Sequence, residues 1–318
     1  YCDFNTYTAQ DGVDRDGYLD AVLAELDLAG RVLAGAAPRQ VDTVFVGGGT
    51  PTLLPAGDLG AVLERIDAVW GLAADAEITT EANPESVDPG SLRALRAAGF
   101  NRISLGMQST AERVLAVLDR RLSRGRAAVA AFEARAAGFQ RVNLDLIYGT
   151  PGERAEDFAA SVRAAIEAGA DHVSAYALIV EDGTRLDARM RRGELPYPDD
   201  DVAADRYLAA EQLLTAAGFS WYEVSNWSLG ADAACRHNLG YWTGADWWGL
   251  GPGAHSHVGG VRWWNVKHPT AYRRRLADRV SPGAGREVLT GAERQLETVL
   301  LGLRLAGGLP LAELDPAG

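Results

Sequence analysis

RVNLDLIYG (Arg141–Gly149) is the stretch whose reading decides the fold. Its β-branched and apolar residues read as a strand, and Gly149 closes it. The run resembles a parallel strand covered on both faces, which is nearly all apolar. Asp145 interrupts it. A carboxylate in such a strand is costly unless it is paired or hydrogen-bonded. Parallel α/β folds set their sites at the carboxyl ends of strands, so Asp145 marks a candidate site.

Working outward, the same alternation repeats on both sides. Strand-like runs are VDTVFVGGG from Val41, EITTEANP from Glu77, RISLGMQS from Arg102 and HVSAYALIV from His172. Helical runs lie between them. DLGAVLERIDAVW carries apolar residues at Leu59, Val62, Leu63, Ile66 and Val69. DPGSLRALRAAGF starts on Asp88 as N-cap with Pro89 at the first helical position. AAGF recurs, at Ala97–Phe100, Ala136–Phe139 and Ala216–Phe219, each time just before a strand. Glycine there ends a helix in the left-handed conformation and phenylalanine enters the next strand. Repeated strand–helix–strand units predict a parallel sheet with crossover helices, open or closed into a barrel.

After Val180 the character changes. A polar, Pro-bearing connection leads to a helix near Val202–Ala217, a strand SWYEVSNW, and a segment from Ala231 to Lys267 rich in Gly, Trp and His. The helical GAERQLETVLLGLRL follows. The expected division is residues 1–180 and residues 181–318. A formal net charge of −12 disfavours a nucleic-acid binder that works by phosphate neutralisation. No apolar stretch reaches the length of a membrane span. Two cysteines exclude a disulfide framework, so a reducing cytoplasm is the expected location.

Polar residues gather at the ends of the predicted strands. GGGTP follows the first, Glu81 and Asn83 the second, Gln108 the third. Each alone has a bland reading, as turn, cap or loop brace. Together with Asp145 they point to one shared polar site. The triple glycine lacks the Gly-Lys-Ser/Thr ending of a phosphate loop. It instead lets a ligand approach the main chain closely.

The ordered set YCDFNTY, FVGGGTPT, EANPES, RISLGMQS, NLDLIYGTPG and YEVSN…CRHNLGYWTGADWWGLGPGAHSH resembles radical S-adenosylmethionine proteins related to oxygen-independent coproporphyrinogen III oxidase. Within them the match is to the HemW-type heme chaperones, over essentially the whole chain. The resemblance implies an α/β fold, a partial (β/α)6 radical-SAM barrel with its first strand missing and a C-terminal α+β extension. It implies a [4Fe-4S] cluster and S-adenosylmethionine as cofactors. Cys2 resembles the last cysteine of the family's CxxxCxxC motif, with the other two expected upstream of Tyr1. One thiolate cannot hold a cluster, so the full-length protein is expected to bind it and the chain alone is not. Tyr1 resembles an aromatic packed on adenine. Gly48, Gly49 and Thr50 resemble the backbone cradle for the methionine amino group. Glu81, Gln108, Arg120 and Asp145 resemble polar contacts to the cofactor, and Ala177 and His255 wall positions.

CRHNLGYW holds a second constellation, His237, Asn238 and Tyr241, which in HemW-type proteins goes with heme binding. A neutral imidazole can ligate heme iron, and a tyrosine one helical turn on can serve as second ligand or hydrogen-bond partner. Trp242, Trp247 and Trp248 could cover a macrocycle or simply be core. His255 and His257 are rival ligands. The implied function is binding heme and passing it to respiratory hemoproteins, with membrane association only through partners and a homodimer as the expected assembly. Two rivals stand beside it. One is a true coproporphyrinogen III oxidase, disfavoured because CDFNTY follows Cys2 where the oxidases carry a further cysteine. The other is a metal-free barrel hydrolase using Glu81 and Asp145 as acid and base.

Overall fold

A computed structural model describes residues 17–36 and 40–310. In chain order, α1 (Tyr18–Leu33) leads to β1 (Val41–Val46), α2 (Ala56–Trp70) to β2 (Leu72–Ala82), and α3 (Pro89–Ala97) to β3 (Arg102–Gln108). The helices α4 (Glu112–Val117) and α5 (Arg126–Ala136) precede β4 (Arg141–Tyr148), and α6 (Ala155–Glu167) precedes β5 (His172–Ala177). Next come α7 (Arg185–Arg191), α8 (Asp200–Ala216), β6 (Ser220–Glu223) and β7 (Asn226–Ser228). The chain continues through α9 (Arg236–Trp242), β8 (His255–Val258), β9 (Val261–Asn265), α10 (Pro269–Ala277), β10 (Gly283–Val288) and α11 (Gly291–Gly302). No helix among the described residues is long and apolar enough to cross a membrane.

The junction glycines behave as their sequence predicts. Gly99, Gly138 and Gly218 have φ of 111°, 96° and 89°. The amides of Phe100, Phe139 and Phe219 donate back to the carbonyls of Leu95, Ala134 and Leu214, which terminates each helix in a Schellman turn. All three phenylalanines are buried. Asp88 caps α3 by accepting from Ser91 N–H at 2.7 Å, with Pro89 at the first helical position.

Seven strands form one sheet in the order β1-β2-β3-β4-β5-β7-β6. The pairs β2–β3, β3–β4 and β4–β5 are parallel. SWYEVSNW is not the single strand expected. It folds into the antiparallel hairpin β6–β7, and β7 pairs with β5. The turn is made at Ser225, which takes φ 80° and offers its carbonyl to Ala175 N–H at 2.7 Å.

The strands also alternate, where near-continuous apolar runs were expected. Register places Glu81, Ser104, Asn143 and His172 side by side on one face, followed by Gly106, Asp145 and Ser174. Ile103, Leu105, Val142, Leu144, Leu146 and Val173 fall on the other face and are fully buried. Helices α3, α5, α6 and α8 lie against this sheet or each other and supply the apolar cover. So one face is a core and the other is polar, which is the sheet geometry that leaves room for a ligand.

Two compact units emerge from the packing. One holds residues 45–54 and 78–234, with most of the sheet. The other holds, of the described residues, 17–36, 40–44, 55–77 and 235–310. In the second, α1 packs through Ala21 and Val22 on Tyr272 and Leu276 of α10. Glu25 is buried there, accepting from Gly251 N–H at 3.0 Å, Asn265 Nδ2 at 2.8 Å and Tyr272 OH at 2.6 Å. These donors replace the water that burial removes. A second sheet, β10-β9-β8, is antiparallel.

Candidate functional site

In the first unit, the residues after β1 form the expected glycine loop. Gly48 has φ 84°, and a Cβ built on Gly48 or Gly49 meets nothing within 4 Å, so both present open main chain. Gly47 is different. A Cβ there would lie 2.8 Å from the Glu81 carboxyl carbon, so only glycine lets Glu81 lie against this turn. Gly48 N–H donates to Glu81 Oε2 at 3.1 Å. Thr50 leads into a 3-10 turn at Pro51–Leu53.

Glu81 and Asp145 share one electrostatic environment. Burial, and then repulsion from Asp145, push the Glu81 carboxyl up to about 7, against the pull of the Gly48 and Gly49 amides. Burial raises the Asp145 carboxyl too, opposed by hydrogen bonds from Ser104, Ser174 and Asn143 and by the Arg102 charge. Two carboxyls that resist ionising together suit a ligand that brings a positive charge or hydroxyl donors.

Asp145 is held by residues the sequence reading missed. Ser104 Oγ donates to Asp145 Oδ2 at 2.7 Å, and Asn143 Nδ2 donates to Asp145 Oδ1 at 2.7 Å. Asn143 Nδ2 also reaches Ser104 Oγ at 2.7 Å and Ser174 Oγ at 3.0 Å. The Asn143 oxygen lies 2.6 Å from His172 Nδ1, so that nitrogen carries the hydrogen. His172 Nε2 then accepts from Tyr222 OH at 2.8 Å. Burial holds this imidazole neutral, well below its ordinary value. The signal was present as polar residues two apart, Asn143 with Asp145 and His172 with Ser174, and as Ser104 two before a glycine.

Gln108 and Arg120 come together at a cavity of about 250 Å³, lined also by Asn83, Asp119 and Arg121. Gln108 ends β3 in the left-handed region, φ 62°, where the pairing with β4 skips a residue. Asp119 is left-handed too, φ 54°. Side-chain-bearing residues hold that conformation only where the surroundings enforce it. Gly106 accommodates Gln108, since a Cβ there would sit 2.8 Å from Gln108 Nε2. Ala177 is exposed at the end of β5. Tyr1 and Cys2 lie outside the described residues.

In the second unit, α9 carries His237, Asn238 and Tyr241. Its first turn is capped by a residue far away in sequence. Glu77 accepts from the amides of Arg236 and His237, both at 3.1 Å, and from Cys235 Sγ at 3.3 Å. A carboxylate at a helix N-terminus is favoured by the unsatisfied amides and the macrodipole. Arg236 adds an ion pair to Asp75 at 3.1 Å.

His237 is fully engaged. Its Nδ1 lies 2.8 Å from Thr43 Oγ1 and its Nε2 lies 2.9 Å from Tyr241 OH. Burial pushes the imidazole down to about 4, only partly offset by Glu77, so it is neutral at pH 7. The Tyr241 hydroxyl is thus a hydrogen-bond partner of His237. Asn238 is not joined to either by a side-chain hydrogen bond among the described residues. The Tyr241 ring meets Trp247 edge-on at 4.8 Å, and Trp247 lies 5.1 Å from the His257 ring. His255 is exposed on β8 and stacks on Trp264.

Fold and site together describe a protein with a mixed, mainly parallel sheet and a polar, glycine-lined candidate site at the carboxyl ends of its parallel strands. The Radical SAM superfamily model matches residues 1–165. The heme chaperone HemW of Mycobacterium tuberculosis is 57% identical over 319 residues, covering 100% of this chain and 81% of that one. The heme chaperone HemW of Synechocystis is 36% identical, over 99% of this chain and 76% of that one. Among solved structures, Escherichia coli coproporphyrinogen III oxidase (HemN), described as a radical SAM enzyme, superposes with a TM-score of 0.81 at 24% identity, over 96% of this chain and 72% of that one. The chain belongs to the radical SAM superfamily, in the family of the HemW proteins. Its fold is the partial barrel of that superfamily, the one expected from the motifs.

That superfamily implies S-adenosylmethionine and a [4Fe-4S] cluster. The first fits the residues present. The open glycines, the opposed carboxyls of Glu81 and Asp145, and the strained Gln108 offer acceptors and main chain to an ammonium group and ribose hydroxyls. The cluster finds no ligand set among the described residues. Cys235 is buried with its thiol on Glu77, and Cys2 is the other cysteine in the sequence.

Proposed function

We propose that this protein is a heme chaperone, binding heme and delivering it to respiratory hemoproteins in the cytoplasm. The observation that carries the reading is 57% identity to a heme chaperone HemW along the entire chain. Residues 1–180 are read as barrel core and 181–318 as the added region. Gly48, Gly49, Thr50, Glu81, Gln108, Arg120 and Asp145 are assigned to S-adenosylmethionine, with Tyr1 and Ala177 as further walls and Cys2 as one cluster ligand. S-adenosylmethionine at a cluster supplies one-electron chemistry when bound. The chain's own part is to neutralise and orient. Glu81 and Asp145 accept from the ligand's donors, and Asn143 and Ser104 keep Asp145 aimed. His237, Asn238 and Tyr241 contribute to the heme site. The neutral state of His237 suits that role, because it adds no charge beside an apolar macrocycle.

The test is reconstitution of the full-length protein with iron and sulfide, followed by heme titration and transfer to an apo-hemoprotein. Transfer is expected. A parallel anaerobic assay on coproporphyrinogen is expected to give no product, and robust protoporphyrinogen formation would overturn the reading in favour of the oxidase.

A further inference from the structure

We propose that His172, held by Tyr222 of the hairpin, is a positioning residue for S-adenosylmethionine that acts through Asn143 on Asp145, an inference that rests on the reading above that Asp145 binds this cofactor. His172 opens β5 and is 1% exposed, and Tyr222 lies on β6. Register brings the elements together. Asn143 stands opposite His172, His172 opposite Ser228 of β7, and Ser228 opposite Ser220 of β6.

The orientation of the Asn143 amide is what has to be fixed. The last torsion of an asparagine is broad and nearly two-fold, so the side chain alone does not decide which end faces the carboxylate. Its nitrogen faces Asp145 Oδ1 and Ser104 Oγ, both at 2.7 Å, and Ser174 Oγ at 3.0 Å. Turned over, the amide would set its oxygen against the carboxylate, acceptor on acceptor, and Asp145 would lose a donor. The far side distinguishes the two ends. The Asn143 oxygen lies 2.6 Å from His172 Nδ1, and a donor there takes only the carbonyl end of the amide.

That donor is fixed in turn. Burial keeps the ring neutral, so it carries one hydrogen, on Nδ1, and one lone pair, on Nε2. The Tyr222 hydroxyl lies 2.8 Å from Nε2, and the two rings pack at 5.6 Å and 60°. Both ring nitrogens are therefore engaged, and neither is left for the carboxylate or the ligand. His172 acts on binding by holding the amide. The chain of hydrogen bonds runs from Tyr222 through His172 and Asn143 to Asp145, so the hairpin is tied to the cofactor site.

Calorimetric titration of the reconstituted full-length protein with S-adenosylmethionine tests this in two variants that differ in where an amide sits. An asparagine amide falls near the Nδ1 position of the imidazole it replaces, and a glutamine amide near Nε2. His172→Asn keeps a donor for Asn143 and is expected to bind as the wild type does. His172→Gln keeps a partner for Tyr222 but leaves the Asn143 oxygen unpaired, and is expected to lose roughly tenfold in affinity. Thermal unfolding of both variants separates position from stability, since a purely structural histidine would make affinity follow the melting temperature and not the place of the donor. Added to Asp145→Ala, His172→Gln is expected to bring no further loss. Nitrogen-15 spectra of the wild type are expected to show the Nδ1–H tautomer at His172. Wild-type affinity in His172→Gln, an equal loss in both variants, a further loss on top of Asp145→Ala, or an Nε2–H tautomer overturns the positioning role and leaves the cofactor mapping standing. If Asp145→Ala by itself binds as the wild type does, the mapping fails and the role of His172 falls with it.

Discussion

Asn143 precedes Asp145 by two residues on β4 and donates to its carboxylate at 2.7 Å, while its oxygen receives the Nδ1 hydrogen of His172 at 2.6 Å. One amide thus serves a candidate ligand-binding group on one side and a buried imidazole on the other. Replacing it by alanine strands both. Asn143→Ala is expected to cost about 1–3 kcal/mol, the price of a buried polar group left unpaired. Chemical denaturation measures it, and a cost below about 0.5 kcal/mol, typical of surface changes, would mean that the network carries no load.

Asp145→Ala should leave the fold intact and weaken S-adenosylmethionine binding. A hydrogen bond to a charged group contributes about 1.5–3 kcal/mol, so the loss is roughly tenfold or more. Calorimetric titration of the reconstituted protein decides it. Equal affinity in the variant would count against the mapping of the cofactor onto β4.

Glu81 sets a pH dependence in the ligand-free protein. Its folded carboxyl holds its proton up to about 7, against an ordinary value of 4.5. The folded state therefore binds more protons than the unfolded state across that window, and stability falls as pH rises from about 4.5 to 7. Glu81→Gln removes this contribution and should flatten the slope. Thermal unfolding at steps across the window is the measurement, and an unchanged slope would refute the Glu81 assignment.

Glu77→Ala removes the acceptor shared by Arg236 N–H, His237 N–H and the Cys235 thiol. The expected destabilisation is about 1–2 kcal/mol, as for a lost helix cap. Heme affinity should fall with it, because α9 carries Tyr241. Hydrogen exchange at α9 amides should speed up in this variant; protection equal to wild type would show that the helix is held by other contacts.

Gly138→Ala probes the αβ junctions. The position has φ 96°, and the nearest atom to an added Cβ is Arg96 Nε at 3.7 Å, so sterics with neighbours are not at issue. Backbone strain alone should cost about 1–2 kcal/mol. A neutral result in denaturant titration would mean that the helix end can shift to a right-handed turn.

The sequence by itself determined the order of elements, the AAGF junctions and the polar residues gathered at the strand ends. These are local facts. A left-handed glycine, an Asp-Pro helix start and an apolar strand are each written within a few residues, and their physics is complete within that span. The whole-chain motif order added the family. Tertiary structure alone decided the rest. SWYEVSNW could not announce its hairpin, because the turn at Ser225 is stabilised by Ala175, fifty residues earlier. The alternation of β2–β5 was in the letters, yet which face was polar emerged only from the register that aligns Glu81, Ser104, Asn143 and His172. In HNLGY, His237 reads as an imidazole able to ligate heme iron. It is Thr43, 194 residues away, that lies on its Nδ1. A side chain's chemistry depends on which of its atoms are already bonded, and those partners are chosen by the fold.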